Sequence, residues 1–322
     1  MRIWCKSFWN GAALNARLQT IFTIQPCYCK KSPRITRLLL LHSDPNSRKT
    51  LLEDVTIRNR LLRQAVQASL QDVIALLVAH GADPNSRNTD GLSLLHLATK
   101  NGDREVVQQL LAYEEISINA TDRQSCTALH IAAEYGCTSV AKCLLAKCGI
   151  DSNARDSYGR TAFHIAAEYS NKSITGLLLA YGAVDINAPD VSGATALCLA
   201  ADAKHTAVAL QILAEDHVDV NMASQTDRTA LHHAARTGNI LTACVLLANE
   251  DLDPNFGDYK ARILAIQAFG LAKIGDAGFG LSGDPPSPTM PLFPLTFWNS
   301  LCEGLKQELI ESSHASNCLP NA

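Results

Sequence analysis

TALHIAAEYG at residues 127–136 and TAFHIAAEYS at residues 161–170 are near copies, 34 residues apart. Taken alone, the first sets His130 and Glu134 four positions apart, on one face of a helix and within reach of a single metal ion. Repetition changes that reading, because a metal or catalytic site is rarely stamped twice at a fixed interval. The wider chain keeps the same step. Asn85, Asn119, Asn153, Asn187, Asn221 and Asn255 follow it, as do Asp83, Asp151, Asp185, Asp219 and Asp253, with Ser117 filling the one gap. The hydroxyls Ser93, Thr127, Thr161, Thr195 and Thr229 run in parallel with His96, His130, His164 and His232, and Cys198 stands in the remaining histidine position. Self-similarity at this period is the signature of a solenoid of stacked units.

Each unit reads as a pair of helices. The Ser or Thr caps the first helix, because its oxygen accepts an amide hydrogen that has no partner within the helix. Alanines at 132/133, 166/167, 200/201 and 234/235 let neighbouring helices approach closely. Gly102, Gly136 and Gly238 stop the first helix, a task left to Ser170 and Lys204 in two units. A second helix follows, apolar at Val106, Leu110 and Leu111, at Val140, Cys143, Leu144 and Leu145, at Ile174, Leu177 and Leu178, and at Val208, Ile212 and Leu213. A polar turn such as GADPN then closes the unit. Neither helix is long enough to hold alone, so each unit buries its face against its neighbours.

SLLHLAT (93–99), TALHIAA (127–133), TAFHIAA (161–167), TALCLAA (195–201) and TALHHAA (229–235) resemble the Thr-Pro-Leu-His-x-Ala-Ala core of the ankyrin-repeat family. Ala or Leu replaces the proline throughout, which gives up a rigid start signal at little cost to the helix. A weaker unit at 59–85 has Arg63 in the histidine position. The resemblance implies an all-α ankyrin solenoid of helix-turn-helix units joined by β-turn or hairpin loops. About six repeats are expected, near 55–88, 89–121, 122–155, 156–189, 190–223 and 224–257, within an array spanning 37–258 that opens on a half-unit at 37–48. A basic segment at 1–36 precedes the array. A degenerate half-repeat or cap at 259–270 and a Gly/Pro-rich linker and tail at 271–322, with a short helix at 298–312, follow it. The resemblance also implies that the recurring histidine is structural, its ring bonded to the Thr of its own motif and to backbone of the next unit. Stacked helices sit about 10 Å apart, too far for successive histidines to share one ion through bonds near 2 Å.

Composition narrows the remaining functions. The 322 residues carry a net charge of −3, and the first 43 hold seven Lys or Arg and no acid, so the rest of the chain is mildly acidic, unlike a general nucleic-acid reader. No apolar run approaches the ~20 residues of a membrane span. Eleven cysteines occur without a CxxC pair, and Cys27 and Cys29 form a lone CxC, a pattern that reads as reduced thiols in a cytoplasmic protein. Nuclear residence, or import through the basic N-terminus, are the alternatives. Gly278, Gly280 and Gly283 spell GxGxxG, but Asp-Pro-Pro-Ser-Pro follows where a dinucleotide fold needs a helix.

No catalytic residue, metal ligand or cofactor is therefore expected, and the chain reads as a monomeric, non-catalytic scaffold that binds a protein through the concave face of its array. The alternative is an accessory ankyrin region of a larger signalling or enzyme chain. The resemblance places the binding residues at the turn tips and just after each Ala-Ala pair: Arg123, Gln124, Glu134, Tyr135, Tyr158, Arg160, Glu168, Tyr169, Asp202, Arg228 and Arg236. Glu134, Glu168 and Asp202 form an acidic and aromatic strip with the tyrosines, which would favour a partner segment rich in Lys or Arg.

Overall fold

The computed structural model describes residues 53–252. The N-terminal segment, the half-unit at 37–48, the CxC, Asp253, Asn255, the cap at 259–270 and the Gly/Pro-rich tail with its expected helix lie outside those residues. Among the described residues there are twelve helices and no strand, apart from one isolated antiparallel bridge between Arg87 and Ser93. The fold of these residues is all-α.

The helices group into two compact units, one ending at Ser157 and the other beginning at Tyr158. The first unit holds three pairs: α1 (Val55–Gln67) with α2 (Gln71–Ala79), α3 (Leu94–Lys100) with α4 (Arg104–Leu111), and α5 (Ala128–Tyr135) with α6 (Thr138–Leu145). Within it α3 packs on both α1 and α5, and α4 on both α2 and α6, giving two layers. The second unit repeats the scheme with α7 (Ala162–Glu168) and α8 (Lys172–Tyr181), α9 (Ala196–Asp202) and α10 (Thr206–Leu213), and α11 (Ala230–Thr237) and α12 (Ile240–Leu247). There α9 packs on α7 and α11, and α10 on α8 and α12.

Small residues set the tightness of the inner layer. Ala132, Ala133, Ala166, Ala167, Ala200 and Ala201 are wholly buried, so one helix backbone sits close against the next. Larger side chains fill the space between layers: Leu61, Leu94, Leu110, Leu129 and Leu144 in the first unit, and Phe163, Ile174, Leu178, Val208 and Ile212 in the second. Burying one such side chain contributes roughly 1.5–3 kcal/mol. Among the apolar residues read on the second helices, Cys143, Leu177 and Leu213 are only half-buried.

Helix ends follow the residues that the sequence marks for them. Ser93 accepts from the backbone of His96 at 3.4 Å, and Thr195 from that of Cys198 at 3.4 Å. The reciprocal half of the cap is the imidazole. Nδ1 of His96, His130, His164 and His232 accepts from the backbone N–H of the capping Ser or Thr at 3.1–3.2 Å. First helices then end on a left-handed residue at which the chain reverses. Gly102, Gly136 and Gly238 take φ of 69°, 69° and 67°, while Ser69, Ser170 and Lys204 adopt 56°, 60° and 63° at the cost of a crowded Cβ.

The Asp and Asn rungs explain themselves in the turns. Asp83, Asp151, Asp185 and Asp219 each accept from the backbone N–H two residues on. Asn119 then reaches forward a full repeat, its Nδ2 donating to the Gly149 carbonyl at 2.7 Å and its Oδ1 accepting from Asp151 N–H at 2.9 Å. Asn85 makes the same two bonds to Glu115 and Ser117, and Asn187 to His217 and Asp219. One amide thus satisfies two backbone groups of the next turn and locks its register.

Candidate protein-binding surface

The hairpin-like turns before each capping residue are built by a ladder that the sequence reading did not single out. Asn88, Asp122 and Asp190 each accept, through one side-chain oxygen, from the backbone N–H groups two and four residues on, at 2.8–2.9 Å. Ser224 does so at 3.4 and 3.3 Å, and Asp156 sits buried on the same rung. The step is again 34, but Asn, Asp and Ser share the position, so no single letter recurs to draw attention to it. Fingers are tied together at their tips: Ser157 N–H donates to the Gln124 carbonyl at 2.8 Å in the first unit, and Val191 N–H to the Tyr158 carbonyl at 3.0 Å in the second. This bracing holds Arg123, Gln124, Tyr158 and Arg228 out in solvent on a fixed backbone.

The first helices present the rest of the surface. In the first unit Glu134 and Tyr135 close α5 and are exposed, with the Lys100 ammonium 5.4 Å from the centre of the Tyr135 ring. In the second unit Arg160 lies 5.0 Å from the Tyr158 ring centre and its guanidinium donates to Glu168 at 2.7 Å. Tyr169 follows at the end of α7, half its surface in water. Asp202 accepts from His233 Nδ1 at 3.1 Å and from Arg236. Burial alone raises the Asp202 carboxyl, but the hydrogen bonds and charges of His233 and Arg236 outweigh it and hold the group below its ordinary value.

Two of the three carboxylates expected to form an acidic strip are therefore matched by arginines of this same chain. Arg160 and Arg236 stand among the expected binding residues, yet their pairing with Glu168 and Asp202 depends on distances across eight and 34 residues that no local pattern displays. The second unit also exposes aromatic surface: Tyr158, beneath the Arg160 guanidinium, and Tyr169 keep 58% and 51% of their surface in water.

The recurring imidazoles play no part in that surface. His96, His130 and His164 are each 1% exposed. A backbone N–H donates to His96 Nδ1, so that nitrogen carries no proton; the Ser93 hydroxyl at 2.7 Å must donate to it as well, and Nε2–H donates to the Cys126 carbonyl of the next repeat at 2.9 Å. Burial lowers the His96 ring below its ordinary value, against the opposing pull of the Cys126 carbonyl and Asp122. Cys198 takes the place of the ring in its own unit, its sulfur accepting from the Thr195 hydroxyl at 3.5 Å, and burial pushes its thiol up. Among the described residues no three His, Cys, Asp or Glu side chains gather closely enough to hold a metal ion.

Comparison with known proteins agrees with this architecture. A family model described as ankyrin repeats (3 copies) matches residues 27–122, 62–156, 95–190, 141–224 and 178–258, which together cover more than two-thirds of the chain. The chain belongs to the ankyrin-repeat family. It is also 33% identical over 88 residues to a putative ankyrin repeat protein of Rickettsia felis, a match that covers 27% of this chain and 7% of that protein's length. Among the described residues no helix is long and apolar enough to cross a membrane.

Proposed function

We propose that the chain is a non-catalytic, monomeric, cytoplasmic scaffold that binds a protein partner through its finger tips and the exposed ends of its first helices. The observation that carries this reading is the exposure of Tyr158 and Tyr169 on a braced backbone. Tyrosines held rigidly in this way offer large contact area at low entropic cost, which is what interface anchors need. Arg228 belongs to the same surface of the second unit, and Arg123, Gln124, Glu134 and Tyr135 give the first unit a binding surface of its own. Lys- or Arg-rich segments remain the favoured partner chemistry, with one refinement: a partner cation reaching Glu168 or Asp202 exchanges with Arg160 or Arg236. Such exchange tunes specificity and encounter rate more than affinity.

The test is affinity capture with the full chain as bait, with the partner's Kd then measured for Tyr158→Ala/Tyr169→Ala. The expected result is binding weakened by at least about tenfold, about 1.4 kcal/mol, with an unchanged melting temperature. Equal affinity for the double variant and the parent would remove these tyrosines from the interface.

A further inference from the structure

The layer of second helices carries a different surface. Between α4 and α6 of the first unit lies an open cleft of about 910 Å³. Its cations are Arg104 at the start of α4, Lys142 midway along α6 and Lys147 just beyond its end; its hydroxyls are Thr138 and Ser139. No carboxylate lines it, in a chain whose net charge is −3. Among the described residues neither Arg104 nor Lys142 has an ion-pair partner. Lys147 donates to the Leu111 carbonyl at 2.8 Å, which satisfies an orphan acceptor at the end of α4 and fixes a positive charge at one end of the cleft.

We propose that this cleft is a second docking site, one that takes an acidic peptide segment of a partner protein. Charge complementarity selects the sign, since three cations concentrated on one face without a compensating acid attract anions. Spacing selects an extended ligand over a compact anion, because Arg104 opens α4 and Lys147 is tied to the Leu111 carbonyl that ends it, so the cations are spread along an eight-residue helix, roughly 12 Å, far longer than one phosphate group. Lining selects a peptide over single-stranded nucleic acid. Leu111, Ala112 and Ala146 provide an apolar strip for aliphatic side chains, and no aromatic ring is present on which a base could stack. The site shares no residue with the surface of the fingers and first helices, so one chain holds two partners, or two segments of one partner, at the same time.

The full chain is titrated with a fluorescein-labelled peptide of about eight residues made of Glu and Leu, with a Lys and Leu counterpart and a labelled oligothymidylate alongside. The expected result is saturable binding of the acidic peptide alone. Arg104→Glu/Lys142→Glu weakens it by at least about tenfold, and rising salt weakens it further, while the melting temperature stays that of the parent. Half-buried Cys143 lines the cleft, so its alkylation, followed by mass spectrometry, slows when the acidic peptide is present. Equal affinity for the double variant, unprotected Cys143, or preferential binding of the oligothymidylate would each overturn the proposal.

Discussion

At His96 one neutral ring does three jobs. It takes hydrogen bonds from the backbone and the hydroxyl of Ser93 and gives one to the Cys126 carbonyl, so it caps its own helix and joins the next repeat. Protonation of Nδ1 would abolish both accepted bonds, which is why burial in this setting favours the neutral form. Ser170 and Lys204 present the opposite case, in which the residue works against its position. Both are exposed at a left-handed helix end where a Cβ costs about 1–2 kcal/mol. Part of any gain from glycine is returned through the freer unfolded chain. Ser170→Gly and Lys204→Gly should each raise stability by about 0.5–1 kcal/mol, seen as a higher urea midpoint at unchanged slope. A lower midpoint for either would contradict the strain assigned there.

Helices of seven to ten residues, such as α3 to α12, cannot stand alone in water, and their existence is owed to caps and to neighbours. The caps were legible in the sequence because one letter recurs at each: Thr or Ser before the helix, His three residues later, Ala-Ala at the close approach. The Asp and Asn rungs were legible as a period, and the structure supplies their chemistry, an amide bridging two backbone groups of the following turn. Asn119→Ala removes both bonds and should cost about 1–2 kcal/mol in equilibrium denaturation. A stability within about 0.3 kcal/mol of the parent would show that water replaces the amide. The turn ladder of Asn88, Asp122, Asp156, Asp190 and Ser224 escaped notice because three residue types share its chemistry. The Glu168–Arg160 pair escaped because it spans the whole length of α7 within one repeat, and the Asp202–Arg236 pair because its side chains meet only once successive repeats are stacked.

For the whole molecule, sequence and structure divide the labour between scaffold and surface. Residues that recur at each step of 34 are buried or bonded to backbone, while most candidate binding residues, the Glu-Tyr pair at 134–135 and 168–169 excepted, differ from finger to finger and keep part of their surface in water. That difference is why the fold was readable from letters and the partner was not, since specificity resides in positions that the scaffold leaves free. The scaffold also sets a pH dependence. A ring whose folded pKa lies below its unfolded value of about 6.5 contributes stability in full above that pH. The contribution is lost progressively as pH falls from there through the depressed folded value. Whether this ring is the neutral joint between repeats can be read from a long-range ¹H–¹⁵N correlation spectrum of His96, followed from neutral to acidic pH. A proton on Nε2, a bare Nδ1 at neutral pH and a titration midpoint below 6.5 are expected. A proton on Nδ1 at neutral pH, or a midpoint at or above 6.5, would rule out the neutral, doubly accepting imidazole on which the stacked repeats rest.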